Sequence, residues 1–191
     1  MVQIKRNKKS INELDETIIS VEIDGKLYDF KPSNHKGFTS NIFYNVDMDW
    51  FLKYPIHYVD YDVLNREIFI LNLLNDNKIG WCPTLIYKTN SFLITNNCGN
   101  KLNSENIPDD YVSQLKIILS DLSKLNIQHN DMAGSGFNFT VCDSKLYLID
   151  YGWSSYCNDM SCGIGIDSRD KPNIVFNDLD IINKIKYKYG K

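Results

Sequence analysis

No apolar run in the 191 residues approaches the length of a membrane span. The opening MVQIKRNKKS is basic but lacks the apolar stretch of a signal peptide. The chain is therefore expected off the membrane, in the cytoplasm. Cysteine is sparse and scattered. The five thiols (Cys82, Cys98, Cys142, Cys157, Cys162) are odd in number and include no CxxC pair, which argues against a disulfide framework and for reduced thiols. Cys157 and Cys162 lack a nearby histidine pair and make a poor zinc site. Neither sign of charge dominates: 21 basic against 24 acidic residues give a net charge of -3, so no nucleic-acid partner is expected. Alanine and arginine are scarce while Asn, Ile, Lys and Tyr abound, a bias that fits an AT-rich genome better than a functional demand. Internal repeats and long low-complexity segments are absent.

What is present suffices for a sizeable core: 43% of residues are hydrophobic and 13% aromatic. Residues 17–30 place β-branched and aromatic residues around Asp24-Gly25, a hairpin signal. A polar, turn-rich KPSNHKGFTSN follows, and residues 43–55 read as one strand ending before Pro55. Val63, Leu64, Ile68, Leu71 and Leu74 recur at a helical period over 60–75, with Asp60 or Asp62 as N-cap. Residues 83–95 suggest two short strands joined at Thr89-Asn90-Ser91. A polar link leads to a helix over 108–126, opened by Pro108 and two acids and carrying an apolar stripe from Val112 to Leu125. Two strands, FTVC and LYLID, flank a turn at 143–145; an irregular Gly/Ser/Asp-rich stretch (154–172) and a closing helix (177–189) follow. This order predicts an α+β fold in two lobes, a strand-rich N-lobe (1–95 with one helix), a hinge (96–102) and a second lobe (103–191).

The most informative stretch is NIQHNDMAGSGFNFTVCDSKLYLIDYGW (126–153), which puts Asp131 on a loop and Asp150 at the end of the hairpin. Paired loop carboxylates suit phosphoryl transfer, where one orients an attacking hydroxyl and the other holds a metal bridging phosphate oxygens. His129-Asn130-Asp131 resembles the His-x-Asp of the kinase catalytic loop, and Asp150-Tyr151-Gly152 resembles the Asp-Phe-Gly motif. The resemblance implies further parts: Lys53 in DWFLKYP as the phosphate lysine, Glu67 on the following helix as its partner, and FLITNNCGNKL as the hinge. Trp50, Trp81 and Trp153 are expected to fill core or interface space, and His129 to brace the loop.

The departures from the family pattern are specific. The family places asparagine five residues after the catalytic aspartate, where this chain has Gly136; the equivalent is Asn138, so DMAGSGFN carries two extra residues. Ala133 stands where many protein kinases carry a basic residue, and the loop expected to cover the phosphates contains only Gly37, leaving backbone amides from Ser33 to Thr39 to do so. The chain closes at residue 191 without an Ala-Pro-Glu-like segment, so the C-lobe is expected to be much reduced. It thus resembles compact atypical kinases, such as the RIO-like group and the kinase subunit of the KEOPS complex, or truncated viral kinase-like proteins acting in a host cytoplasm.

The resemblance implies a protein-kinase-like phosphotransferase that uses ATP with Mg²⁺ or Mn²⁺ and acts on a Ser/Thr hydroxyl of a protein. Asp131, Lys53 and Glu67 would be catalytic, Gly37, Lys53, Asn96, Asn97 and Cys98 would contact the nucleotide, and Asn138 and Asp150 would hold the metal. The alternative of another class is an inactive pseudokinase that binds a regulatory protein partner. The reduced C-lobe implies a docking partner, a second copy of the chain or another protein, over the stripe of 108–126.

Overall fold

The structure, a computed structural model, describes residues 5–6 (backbone only), 18–34, 37, 39–57, 60–133, 137–159 and 180–189. It is α+β, with antiparallel sheets and few helices. Contacts divide the chain into two compact units, Met1–Leu64 with Thr84–Asn97, and Asn65–Pro83 with Cys98–Lys191.

The first unit is built on a seven-stranded sheet of β1 (Lys5–Arg6), β2 (Ile19–Ile23), β3 (Lys26–Pro32), β4 (Ser40–Asn45), β5 (Trp50–Pro55), β6 (Leu85–Lys88) and β7 (Leu93–Asn96), in spatial order β1-β2-β3-β4-β5-β7-β6. Asp24 and Gly25 turn the first hairpin with φ of 50° and 76°, the doubly positive geometry that matches the twist of the flanking strands. The stretch 43–55, expected as one strand, is instead a second hairpin, β4–β5. Its turn contains no glycine; Asn45 builds it by accepting the Met48 N–H at 2.8 Å, and Asp49 takes the positive φ of 56°. Leu52 joins Ile19, Val21, Phe30, Phe92 and Ile94 in the buried core, with Trp50 and Tyr54 packed against it. Strand alternation therefore gives Phe51 and Lys53 the opposite face.

Helix α1 (Asp60–Asp76) begins in the first unit and runs mainly in the second. Asp60, its first residue, reaches back to accept the His57 N–H at 2.9 Å. In the second unit α2 spans Tyr111–Lys124, shorter than expected because Pro108 and Asp109 form the preceding turn. Leu115, Ile118 and Leu122 are buried as α2 packs on β9 (Ile127–Gln128) and β11 (Lys145–Leu148). A three-stranded sheet joins β8 (Asn100–Lys101), β10 (Phe139–Cys142) and β11, and β9 pairs with β12 (Ser155–Tyr156). Gly99 (φ 88°) makes the first of these possible: a Cβ there would lie 2.1 Å from the Val141 carbonyl oxygen. Helix α3 (Ile181–Tyr189) buries Ile181 and Ile185. The expected start of this helix, including Leu179, lies outside the described residues.

Candidate active site

Asn126, at φ 56°, stops α2 in the left-handed conformation that asparagine tolerates, and the chain turns into β9. His129 follows, fully buried. Its Nδ1 accepts the Asp131 N–H at 3.3 Å and its Nε2 lies 3.0 Å from the Ile149 carbonyl oxygen. An amide N–H can only donate and a carbonyl can only accept, so a neutral ring with the proton on Nε2 satisfies both contacts. The ring also meets Tyr151 edge-on, centroids 5.1 Å apart. His129 thus ties the Asp131 loop to the strand end that carries Asp150, and its ring nitrogens are spent on that task.

Asp131 and Asn138 are brought together. Asn138 Nδ2 donates to the Asp131 carbonyl oxygen at 2.7 Å and to the Asp131 carboxylate Oδ2 at 3.0 Å. The Asn138 backbone is pinned on both sides, its N–H to the Met132 carbonyl (3.1 Å) and its carbonyl to the Ile149 N–H (2.9 Å). With Nδ2 occupied, the amide oxygen Oδ1 accepts no hydrogen bond among the described residues. Residues 134–136 of this loop, which was expected to carry two extra residues, lie outside the described residues.

Asp150 ends the β10–β11 hairpin at φ 66°, half-buried. Beside it Tyr151 is fully buried, its hydroxyl donating to the Leu148 carbonyl at 2.8 Å, and burial pushes its phenol well above the ordinary value. The Gly152 carbonyl accepts a 2.6 Å hydrogen bond from Arg66 Nη1 on α1. α3 meets the segment before Asn138 instead: Lys188 lies 4.8 Å over the Phe137 ring, and the Tyr189 hydroxyl donates to the Leu102 carbonyl at 3.0 Å.

The remaining expected residues are placed as follows. Lys53 is half-buried on β5, with Ile42 and the fully buried Leu93 as cross-strand neighbours. Glu67 is buried on α1, next to the buried Arg66. Lys53 belongs to the first unit and Glu67 to the second. Gly37 is required where it stands, since a Cβ there would lie 2.7 Å from the Ser40 carbonyl oxygen. Of the Ser33–Thr39 amides, those of residues 35, 36 and 38 lie outside the described residues. Asn96 accepts the Thr84 N–H at 2.6 Å, and Asn97 donates to Asp49 from both its backbone N–H and its Nδ2, each at 2.9 Å. Tyr44 donates to the same Asp49 carboxylate, which raises the phenol's pKa. Cys98 is buried at the approach to β8.

Two residues that matter here escaped sequence reasoning. Arg66 precedes Glu67 without any motif signal, although one of only three arginines in the chain was a usable hint. Asn130 sat inside the recognised motif but at its variable position.

An amide oxygen and a carboxylate, as Asn138 and Asp150 carry, are donor types that suit a hard divalent cation. Among the described residues no cluster of three or more His, Cys, Asp and Glu could hold a metal by itself. No described helix is long and apolar enough to cross a membrane.

The chain matches no protein-family model and no curated protein. Among solved structures it is similar to the streptomycin–ATP–APH(2")-IIa ternary complex, at 16% identity and a TM-score of 0.43, over 62% of this chain and 64% of that one. It is also similar to the gentamicin–APH(2")-IIa complex, at 15% identity and a TM-score of 0.47, over 81% of this chain and 74% of that one. The chain thus spans less than two thirds of the first of these. At such similarity the functional reading rests on this chain's own residues.

Proposed function

We propose that the chain is an ATP-dependent phosphotransferase of kinase-like fold, working with Mg²⁺ or Mn²⁺ on a Ser/Thr hydroxyl of a protein. The observation that carries this reading is the Asp131–Asn138 pair, whose hydrogen bonds fix the carboxylate and turn the amide oxygen to other work. Bound metal would neutralise charge developing on the transferred phosphate. Asn138 Oδ1 and the Asp150 carboxylate would hold it. Asp131 would orient the attacking hydroxyl and take its proton. Asn138 Nδ2 steers that carboxylate, His129 holds its backbone, and Lys53 would bind the phosphates. Gly37 would let the covering loop approach the nucleotide closely, with Asn96, Asn97 and Cys98 lining the adenine side. The scattered cysteines, with no CxxC pair, support a cytoplasmic setting.

A pseudokinase reading draws on the single glycine at Gly37. Labelled-ATP transfer to the chain itself, to a generic protein substrate and to an aminoglycoside separates the readings. Transfer to protein by the wild type and none by Asp150→Ala supports the proposal. Transfer to the aminoglycoside alone moves the acceptor to a small molecule, and no transfer to any acceptor overturns the proposal in favour of the pseudokinase.

A further inference from the structure

The segment after Asp150 is held by successive carbonyls. The Tyr151 carbonyl accepts the Ser154 N–H at 3.0 Å, the Gly152 carbonyl accepts Arg66, and the Trp153 carbonyl accepts Asn130 Nδ2 at 3.0 Å. The same Asn130 amide lies 3.2 Å from Ser155 Oγ. Asn130 directly precedes Asp131 and sits at φ 64°, a left-handed conformation that asparagine adopts more readily than most residues. Around it, β9 pairs with β12 in the register Gln128↔Ser155, Gln128 Nε2 donates to Asn158 Oδ1 at 3.2 Å, and the Cys157 N–H donates to the Asn126 carbonyl at 2.8 Å.

We infer that Asn130 is a positioning residue: its side-chain amide locks Trp153 and Ser155 onto the catalytic loop and so sets where Asp150 stands relative to Asp131. This rests on the phosphotransferase reading for its consequence, though the lock itself is independent of it. The geometry is economical. A side-chain NH₂ carries two protons, and both have acceptors here, one a backbone carbonyl and one a hydroxyl. The donor is neutral, so the lock needs neither a modification nor a particular protonation state. A β9–β12 ladder only two residues long on each side is short for setting the register of the strand after Gly152 alone. Asn130 adds a tie on the far side of Gly152, beyond the one His129 makes to Ile149.

Two variants separate the amide from the backbone. Asn130→Gly removes the donor and accommodates the positive φ. Asn130→Asp keeps the shape and the tolerance for that φ but sets a carboxylate against the Trp153 carbonyl. Amide hydrogen exchange of residues 150–159 in the ligand-free protein is expected to quicken about tenfold in both variants while α2 stays protected. The Mn²⁺ concentration that half-saturates ATP binding should rise by a similar factor, more for Asn130→Asp than for Asn130→Gly. Ser155→Ala, which retains the Trp153 bond, should show a smaller change of both kinds. Unchanged exchange in both Asn130 variants overturns the inference, as does exchange that quickens equally throughout α2, which would make Asn130 a general stability residue. Wild type that binds no Mn²⁺-ATP would refute the phosphotransferase reading, while the exchange result still decides the lock.

Discussion

Arg66 Nη1 and the Gly152 carbonyl oxygen are joined by a buried 2.6 Å hydrogen bond that spans 86 residues of sequence. It anchors the Asp150-Tyr151-Gly152 turn to α1, the helix that also carries Glu67. A second contact supports it: the rings of Phe69 and Tyr156 meet edge-on at 5.5 Å. A charged donor on a buried carbonyl is worth more than a neutral one, because a carbonyl left alone there keeps its full desolvation cost.

Arg66→Met keeps most of the apolar stem and removes the donor. It should lower stability by about 2–3 kcal/mol, a fall in Tm of roughly 4–12 °C. Thermal denaturation by circular dichroism checks this, and a Tm within a degree of wild type would show that the bond contributes nothing net.

The metal-binding roles proposed for Asp150 and Asn138 predict metal dependence. ATP should raise the Tm only with Mg²⁺ or Mn²⁺ present, by mass action on the folded state. Asp150→Asn should abolish that increment while the ligand-free Tm stays close to wild type. Equal shifts with and without metal would remove Asp150 from the metal site.

Lys53 sits between Ile42 and Leu93, an apolar setting in which a positive charge acts strongly on a bound anion. Lys53→Met should reduce phosphoryl transfer by about 10²–10³-fold in kcat/KM. Full activity in this variant would reassign the phosphate contact, with Lys31 and Lys36 the next candidates, the latter outside the described residues.

Burial pushes the Cys82 thiol up to about 12. Cys82 should therefore resist alkylation in the native protein at pH 8, while the exposed Cys157 reacts first. Peptide mapping after a timed iodoacetamide pulse reads this directly. The sign for stability follows from the same shift. The contribution is complete below the ordinary thiol value and is lost as pH rises toward about 12.

The partner proposed for the second unit has specific candidates in Ile117 on α2, 56% exposed, and Tyr187 on α3, 94% exposed. If a second copy docks there, light scattering at micromolar concentration should report a dimer, and Ile117→Glu should return it to the monomer mass. A wild-type monomer mass would sink the homomeric form of this proposal.

Much of this protein was legible locally. The Asp24-Gly25 turn, the apolar period of α2 and the His129–Asp131 and Asp150–Gly152 motifs are each written within a few adjacent residues. Their physical causes act at that range: allowed φ, helical period, and a strand following its turn. The β4–β5 turn was missed because it uses no glycine. Asn45 makes it with a side-chain bond, and Asp49 takes a conformation that most residues avoid.

What the sequence by itself determined is the order of the helices and main strands, β4 and β5 excepted, and which residue types stand on the 129–131 loop and around the 139–148 hairpin. Only the tertiary structure decided that Asn138 binds Asp131 rather than standing apart, that Asn97 is tied to Asp49, and that Arg66 and Asn130 hold the segment after Asp150. The reason is range. A hydrogen bond needs its partner within about 3 Å, and for these residues the partner comes from a distant part of the chain or across a loop with extra residues. No local pattern encodes such a meeting until the core brings the segments together.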